Sequence, residues 1–277
     1  MHDAVESAIE CIWQGYSEPL SLADIAKSAI LSRFHFSRVF RDATGVSPGR
    51  FLSAVRIYQA KHMLVSTPLS VTDISLAVGY NSLGSFTNRF TESVGTSPTR
   101  FRRMWLEGSN QACAPALGSS SHHTGAVTGT AALPSGWAAA HVFIGAFETP
   151  IIQRRPVSSA IVETCSTRAA SYRLDNVPPG EWFIRAVAAA DSVDPEPWTR
   201  RCLLVGGQGS VKLTAGALLT VDLTLRARRS TDLPILFAVP GLDRQEIRCE
   251  CCPAAGPAAG TRLTPAFASR TPGDRVA

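Results

Sequence analysis

An internal repeat at a spacing of 50 residues constrains this chain more than any other feature. Gly45-Val46-Ser47-Pro48-Gly49-Arg50-Phe51 returns as Gly95-Thr96-Ser97-Pro98-Thr99-Arg100-Phe101, and Phe36 and Phe40 return as Phe86 and Phe90. Upstream, Ser21-Leu22-Ala23-Asp24-Ile25 returns as Ser70-Val71-Thr72-Asp73-Ile74 at a spacing of 49, so one residue has entered the connection inside the second copy. One supersecondary unit is therefore used twice.

Each unit reads as helix, turn, helix. Ser21 and Ser70 are N-cap residues with Asp24 and Asp73 three positions on, a capping-box-like start with Asp in place of Glu. The second helix is expected to open at Ser32 or Ser82 and to run over about 32–44 and 82–94. Gly45 and Gly95 suit the left-handed position that closes it. Gly79-Tyr80-Asn81 supplies the tight turn in the second copy. Between the copies, Ser47-Pro48 starts a helix to about Ser66, and about 20 residues span ~30 Å. One turn of duplex DNA covers roughly 34 Å, so such a rod suits two recognition helices entering successive major grooves. A single unit of this kind fits any small helical bundle; two copies on a rod favour DNA.

Charge agrees with that reading. Residues 33–103 hold ten basic groups, Arg33, Arg38, Arg41, Arg50, Arg56, Lys61, Arg89, Arg100, Arg102 and Arg103, against Asp42, Asp73 and Glu92. Residues 1–32 are acidic, so the positive charge is concentrated where phosphate neutralisation requires it. The net charge of +5 over 277 residues is too mild to identify a partner by itself.

Beyond residue 107 the pattern changes twice. Residues 108–136 are rich in Gly, Ser, Ala and Pro and read as a flexible linker, which makes the two domains tethered rather than fused. From 137 to 240 alternating apolar runs, among them His141 to Ile144, Ala160 to Glu163, Trp182 to Val187, Leu203 to Val205 and Leu219 to Leu225, predict an all-β sandwich of about seven strands. Residues 241–277 read as a disordered tail. The fold class expected is thus multi-domain: an all-α double helix-turn-helix domain over 1–107, then an all-β sandwich.

The start of the chain lacks the basic and apolar segments of a secretory signal, and no apolar run approaches the ~18 residues of a membrane helix. A cytoplasmic protein without a membrane partner is expected. Seven scattered cysteines do not form a disulfide framework, and reduced thiols are the default.

Asp73-Ile74-Ser75-Leu76-Ala77-Val78-Gly79-Tyr80-Asn81-Ser82, followed by Phe86-Thr87-Asn88-Arg89-Phe90 and the segment from Gly95 to Arg102, closely resembles the signature of the double helix-turn-helix domain of the AraC family of bacterial transcription regulators. The resemblance covers about 100 residues, from the first helix to Arg102. It implies a sequence-specific regulator that binds double-stranded promoter or operator DNA. RNA polymerase, a small-molecule effector and a second copy of the chain are the further partners it admits.

By the same resemblance the first recognition helix reads bases through Phe34, Ser37 and Arg38, with Arg33 and Arg41 beside them for bases or phosphates. Arg38 could make a bidentate bond to guanine, a contact worth about 1–3 kcal/mol of discrimination. The second presents Leu83, Gly84, Thr87 and Asn88. That set departs from the usual polar or basic choice: Leu83 could meet only a thymine methyl and Gly84 offers no side chain. Ser32, Arg41, Ser82, Ser85, Arg89, Arg100, Arg102 and Arg103 are the phosphate candidates. Phe36, Phe40, Phe86 and Phe90 belong to the core, because their face of the helix cannot also face DNA. Arg56 is expected to bridge the two units.

Tyr172 to Ala186, built around Pro178-Pro179-Gly180, resembles a hairpin of the carboxypeptidase regulatory-like or transthyretin-like β-sandwich, which implies a fold and no function. Such a module could sense a ligand, dimerise or dock. Enzyme readings do not hold. Gly206-Gly207-Gln208-Gly209 has no following helix and reads as a turn joining strands. His122-His123 reads as solvated linker. Cys249, Cys251 and Cys252 lack paired metal spacing and a fourth ligand. Neither a cofactor nor a catalytic or metal-binding residue is expected. The rival readings are a helical scaffold with a β-sandwich interaction domain and no DNA binding, and an enzyme whose site lies in the sandwich.

Overall fold

The computed structural model describes residues 2–107, 124–137, 139–190, 202–229 and 231–238. Seven helices come first: α1 His2–Gly15, α2 Leu22–Ser28, α3 Arg33–Thr44, α4 Pro48–Ser66, α5 Val71–Ala77, α6 Leu83–Val94 and α7 Pro98–Glu107. The duplication persists down to ring contacts. Phe36 meets Phe40 at 5.4 Å and Phe40 meets Phe51 edge-on at 5.5 Å. In the second unit Phe86 meets Phe90 at 5.7 Å and Phe90 meets Phe101 at 5.7 Å. All six rings are buried, and each such pair contributes about 0.5–1.5 kcal/mol beyond its burial. Helix α4 buries Phe51, Leu52, Ala54, Val55, Ile57, Ala60 and Leu64, more than one stripe, because both units close onto it.

The caps follow the sequence with one instructive difference. Ser21 and Asp24 form a complete capping box, and Ser70 accepts from the Asp73 amide at 3.1 Å. Ser82 accepts from the Ser85 amide at 3.2 Å, whereas Ser32 caps α3 without a side-chain bond. Gly45 and Gly95 both adopt the left-handed conformation that closes α3 and α6.

Nine strands follow among the described residues: β1 Gly125–Ala132, β2 Ala140–Phe147, β3 Ser158–Thr164, β4 Ala170–Val177, β5 Gly180–Ala190, β6 Cys202–Leu213, β7 Leu218–Thr220, β8 Leu223–Thr224 and β9 Arg226–Ala227. One sheet runs β4-β1-β7 with β8 also on β1, and the other runs β3-β2-β5-β6-β9. Between them lie Val127, Tyr172 and Leu174 from the first sheet and Val142, Ile144, Ile184, Ala186 and Leu204 from the second. The Tyr172 hydroxyl donates to the Val221 carbonyl at 2.6 Å, and burial with nearby Asp222 pushes its pKa up to about 12.

The β region departs from the sequence reading at three points. Strand β1 lies inside the segment 108–136 read as linker. Its small residues reflect close backbone approach, since a Cβ at Gly129 would collide with the Val221 carbonyl. Pro178-Pro179-Gly180 does not turn a hairpin: β4 pairs with β1 and β5 with β2 and β6, so the turn carries the chain from one sheet to the other. Gly206 to Gly209 lie inside β6, where a register shift opposite Phe183 and Arg185 interrupts the ladder. His122-His123, the three clustered cysteines and the expected tail lie outside the described residues. No described helix is long and apolar enough to cross a membrane.

The domains are also fused rather than tethered. Residues 235–238 form an extended strip with apolar residues on both sides. Ile235 and Phe237 cover Phe143, Phe147 and Val187 on the outer face of the second sheet, while Leu236 and Ala238 enter the helical core beside Ile151. Phe143 and Phe237 stack at 5.7 Å. The Leu236 and Phe237 amides donate to the Ile152 carbonyl at 2.8 and 3.0 Å, and Lys61 of α4 donates to the Ile235 and Phe237 carbonyls, each at 3.2 Å. Burying both faces of β2 explains its nearly continuous apolar run.

Candidate nucleic-acid interface

Helices α3 and α6 each turn a buried phenylalanine pair inward, which sends the opposite stripe outward. On α3 that stripe holds Arg33, Phe34, Ser37, Arg38 and Arg41; all are exposed except Ser37, which is half-buried. Phe34 is 87% exposed, an unusual state for phenylalanine in a chain with a well-formed core beside it. Arg33, Arg38 and Arg41 make no ion pair or hydrogen bond through their side chains among the described residues. At the same positions of α6 stand Leu83, Gly84, Thr87, Asn88 and Thr91, all exposed except the half-buried Thr87. A Cβ at Gly84 would meet nothing within 4 Å, so no neighbour among the described residues requires glycine there.

The phosphate candidates divide into two groups. Ser32, Arg41, Arg100 and Arg103 are exposed, and Arg103 has only a loose pairing with Glu107 at 4.0 Å. Arg102 instead turns inward, donating from Nε to the Leu64 carbonyl at 2.9 Å and from Nη2 to the Leu69 carbonyl at 2.6 Å. Arg89 donates from Nε to Ser53 Oγ of α4 at 3.0 Å and pairs with Glu92 at 3.5 Å. Both guanidinium groups are committed within the fold, unlike the free phosphate contacts the sequence suggested. Ser82 and Ser85 are exposed but hydrogen-bonded to each other at the helix start.

The two units are locked at two places. Arg56 of α4 donates to the Tyr16 carbonyl from Nε and to the Glu18 carbonyl from Nη2, both at 2.7 Å, and lies 5.9 Å from the Tyr80 ring centre. Burial lowers its pKa and Tyr80 partly offsets this. It therefore joins the loop after α1 to the turn of the second unit, the bridging role read from sequence. The second lock comes from the β domain. Pro150 abuts Gly45, the Arg154 amide donates to the Ser93 carbonyl at 2.7 Å, and Phe237 lies beside Gly95. Helices α3 and α6 are thus both held at their C-terminal ends, and Arg33, Phe34, Leu83 and Gly84 at their N-terminal ends are exposed.

Sequence reasoning missed Ile30. It is 92% exposed and holds a left-handed φ of 56°, costly for a β-branched residue. The repeat carries the signal, because Ile30 aligns with Gly79 at the spacing of 49. It also missed the strip at 235–238, whose run Leu233-Pro234-Ile235-Leu236-Phe237-Ala238 is the most apolar segment after β6.

A helix-turn-helix domain family matches residues 25–104. The lactose operon transcription activator of Staphylococcus xylosus is 29% identical over 102 residues, covering 37% of this chain and 37% of that protein. The probable transcription factor PqrA of Proteus vulgaris is 30% identical over 86 residues, covering 31% of this chain and 70% of that protein. Among solved structures, the DNA-binding domain of the global transcriptional factor AdpA in complex with a target DNA is 25% identical, with a TM-score of 0.37, covering 39% of this chain and 96% of that one. The chain spans little more than a third of the length of the Staphylococcus activator, and the family match lies within the helical domain.

Proposed function

Since the chain belongs to the AraC family of bacterial transcription regulators, we propose that it binds duplex DNA sequence-specifically, with α3 and α6 in successive major grooves, and regulates transcription there. One observation carries the reading: α3 and α6 each present a largely exposed stripe, and the three arginines on the α3 stripe have no partner among the described residues. Helix α4, at 19 residues, measures about 28 Å, near the repeat of the duplex.

The two helices divide the work unequally. On α3, Arg38 reads guanine through its O6 and N7, Phe34 packs on a thymine methyl, Arg33 and Ser37 reach neighbouring edges, and Ser32 and Arg41 hold phosphates. On α6, Leu83, Thr87 and Asn88 supply weaker readout. The bare backbone at Gly84 lets the helix start approach the duplex closely. Arg100 and Arg103 add positive charge beyond α6. The β domain acts as a brace that fixes the separation of the two helices by holding both C-terminal ends. A DNA target places this work in the cytoplasm and asks for no catalytic group.

Selection of bound duplexes from a random pool should return two short blocks about one helical turn apart, the one read by α3 more sharply defined. Arg38→Ala should weaken binding to the selected duplex about 5- to 150-fold, the equivalent of 1–3 kcal/mol, and leave binding to random duplex nearly unchanged. Equal losses on both duplexes would demote Arg38 to a phosphate contact, and unaltered binding to either would remove α3 from the interface.

A further inference from the structure

A cleft of about 80 Å³ lies where the second helix-turn-helix unit meets the β domain. Thr96 and Arg100 border it from the helical side, Arg155 and Phe237 from the β domain, and Val94 and Met104 supply apolar wall. The Thr96 hydroxyl oxygen is buried and has no hydrogen-bond partner among the described residues. The guanidinium groups of Arg100 and Arg155 likewise have no carboxylate or carbonyl acceptor among those residues. Two like charges therefore face one space together with a buried donor that has nothing to donate to.

The internal repeat provides a control for this feature. In the first unit the position of Thr96 is taken by Val46, which is 3% exposed and belongs to the core. Apolar packing thus satisfies the same corner of the fold, and a hydroxyl left unmet there is a liability. The second unit carries that liability at a cleft that Arg100 and Arg155 also line. One anionic group there would meet the hydroxyl and both guanidinium groups.

We propose that this cleft binds a short-chain monocarboxylate. Its two oxygens accept from Arg100 and Arg155, the Thr96 hydroxyl donates a further bond, and a short alkyl body lies against Val94, Met104 and Phe237. A cavity of about 150 Å³ holds benzene, so about half that space takes a body of two or three carbons, with the carboxylate at the open, charged side. Both domains contribute lining residues, so the bound acid favours their docked arrangement. Carboxylate binding at this cleft does not depend on the DNA reading and is measured without duplex.

The test is a melting and calorimetric titration of the full chain with propionate at constant ionic strength, beside propionamide, its neutral isostere, and inorganic phosphate. Propionate should raise Tm in a saturable way, with Kd near the millimolar level open to about five non-hydrogen atoms. Propionamide should not raise it. Arg155→Gln should weaken propionate binding about tenfold or more. Thr96→Val, which copies the first unit, should raise the Tm of the free protein while reducing the propionate-induced shift. The proposal is overturned by equal shifts from propionamide, by tighter binding of phosphate than of propionate, by an unchanged propionate Kd in both variants, or by no saturable shift at tens of millimolar.

Discussion

Raising salt from 50 to 200 mM should lower the affinity of the chain for its duplex about 10²-fold, with a slope of log affinity against log salt near −4. The magnitude comes from the structure rather than from composition. Ten basic groups lie between residues 33 and 103, but Arg56, Lys61, Arg89 and Arg102 are half-buried, and each is hydrogen-bonded to another part of the chain. That leaves Arg33, Arg38, Arg41, Arg50, Arg100 and Arg103 exposed, and with Arg33 and Arg38 at base edges, Arg41, Arg50, Arg100 and Arg103 remain for phosphates. About four neutralised phosphates give a slope of roughly −4 at 0.9 per phosphate and a loss of about 10²-fold, whereas about ten would give −9 and a loss above 10⁵. A measured slope near −9 would mean that the inward arginines release their carbonyls on binding. A flat salt dependence would sink duplex binding altogether.

How much of this was legible beforehand depended on which signals are local. The repeat exposed the helical domain because caps, turns and the phenylalanine spacing are written in short windows, and Arg56 could be assigned from its place midway along α4. The sandwich was legible in outline from alternation. Strand β1 was not, since Gly125, Gly129 and the alanines around them look like linker until the backbone of Val221 arrives, 92 residues along the chain from Gly129. Arg102 illustrates the limit for the site. Nothing in a cluster of arginines says that one of them reaches back to the carbonyls of Leu64 and Leu69, because those acceptors are free only where one helix has ended and the next has not begun. The domain junction was illegible for the same reason, as alternation in 235–238 acquires meaning only when two separate apolar surfaces close on it.

Exchanging the residues at one equivalent position of the two turns should give opposite results. Gly79→Ala should destabilise the chain by about 2–4 kcal/mol, read as a lower urea midpoint at unchanged slope. The left-handed conformation costs an alanine about 1 kcal/mol. The added Cβ would also stand 2.8 Å from the Ser17 carbonyl oxygen and 2.9 Å from that of Tyr16, and the backbone displacement needed to relieve this accounts for roughly 1–3 kcal/mol more. Ile30→Gly should do the reverse and gain up to about 1 kcal/mol, because it removes left-handed strain from a side chain that is 92% exposed and loses no packing. The asymmetry arises because the first turn faces solvent and the second closes on the loop that Arg56 also grips. Gly79→Ala should therefore disturb the relative placement of the two recognition helices. Where the variant is still folded, it should lose affinity for a duplex carrying both blocks but retain most of its affinity for one carrying only the α3 block. Equal effects of the two substitutions on stability would show that the turns are equivalent and that Gly79 does not join the units. A uniform loss on both duplexes would show that the joint does not set their spacing.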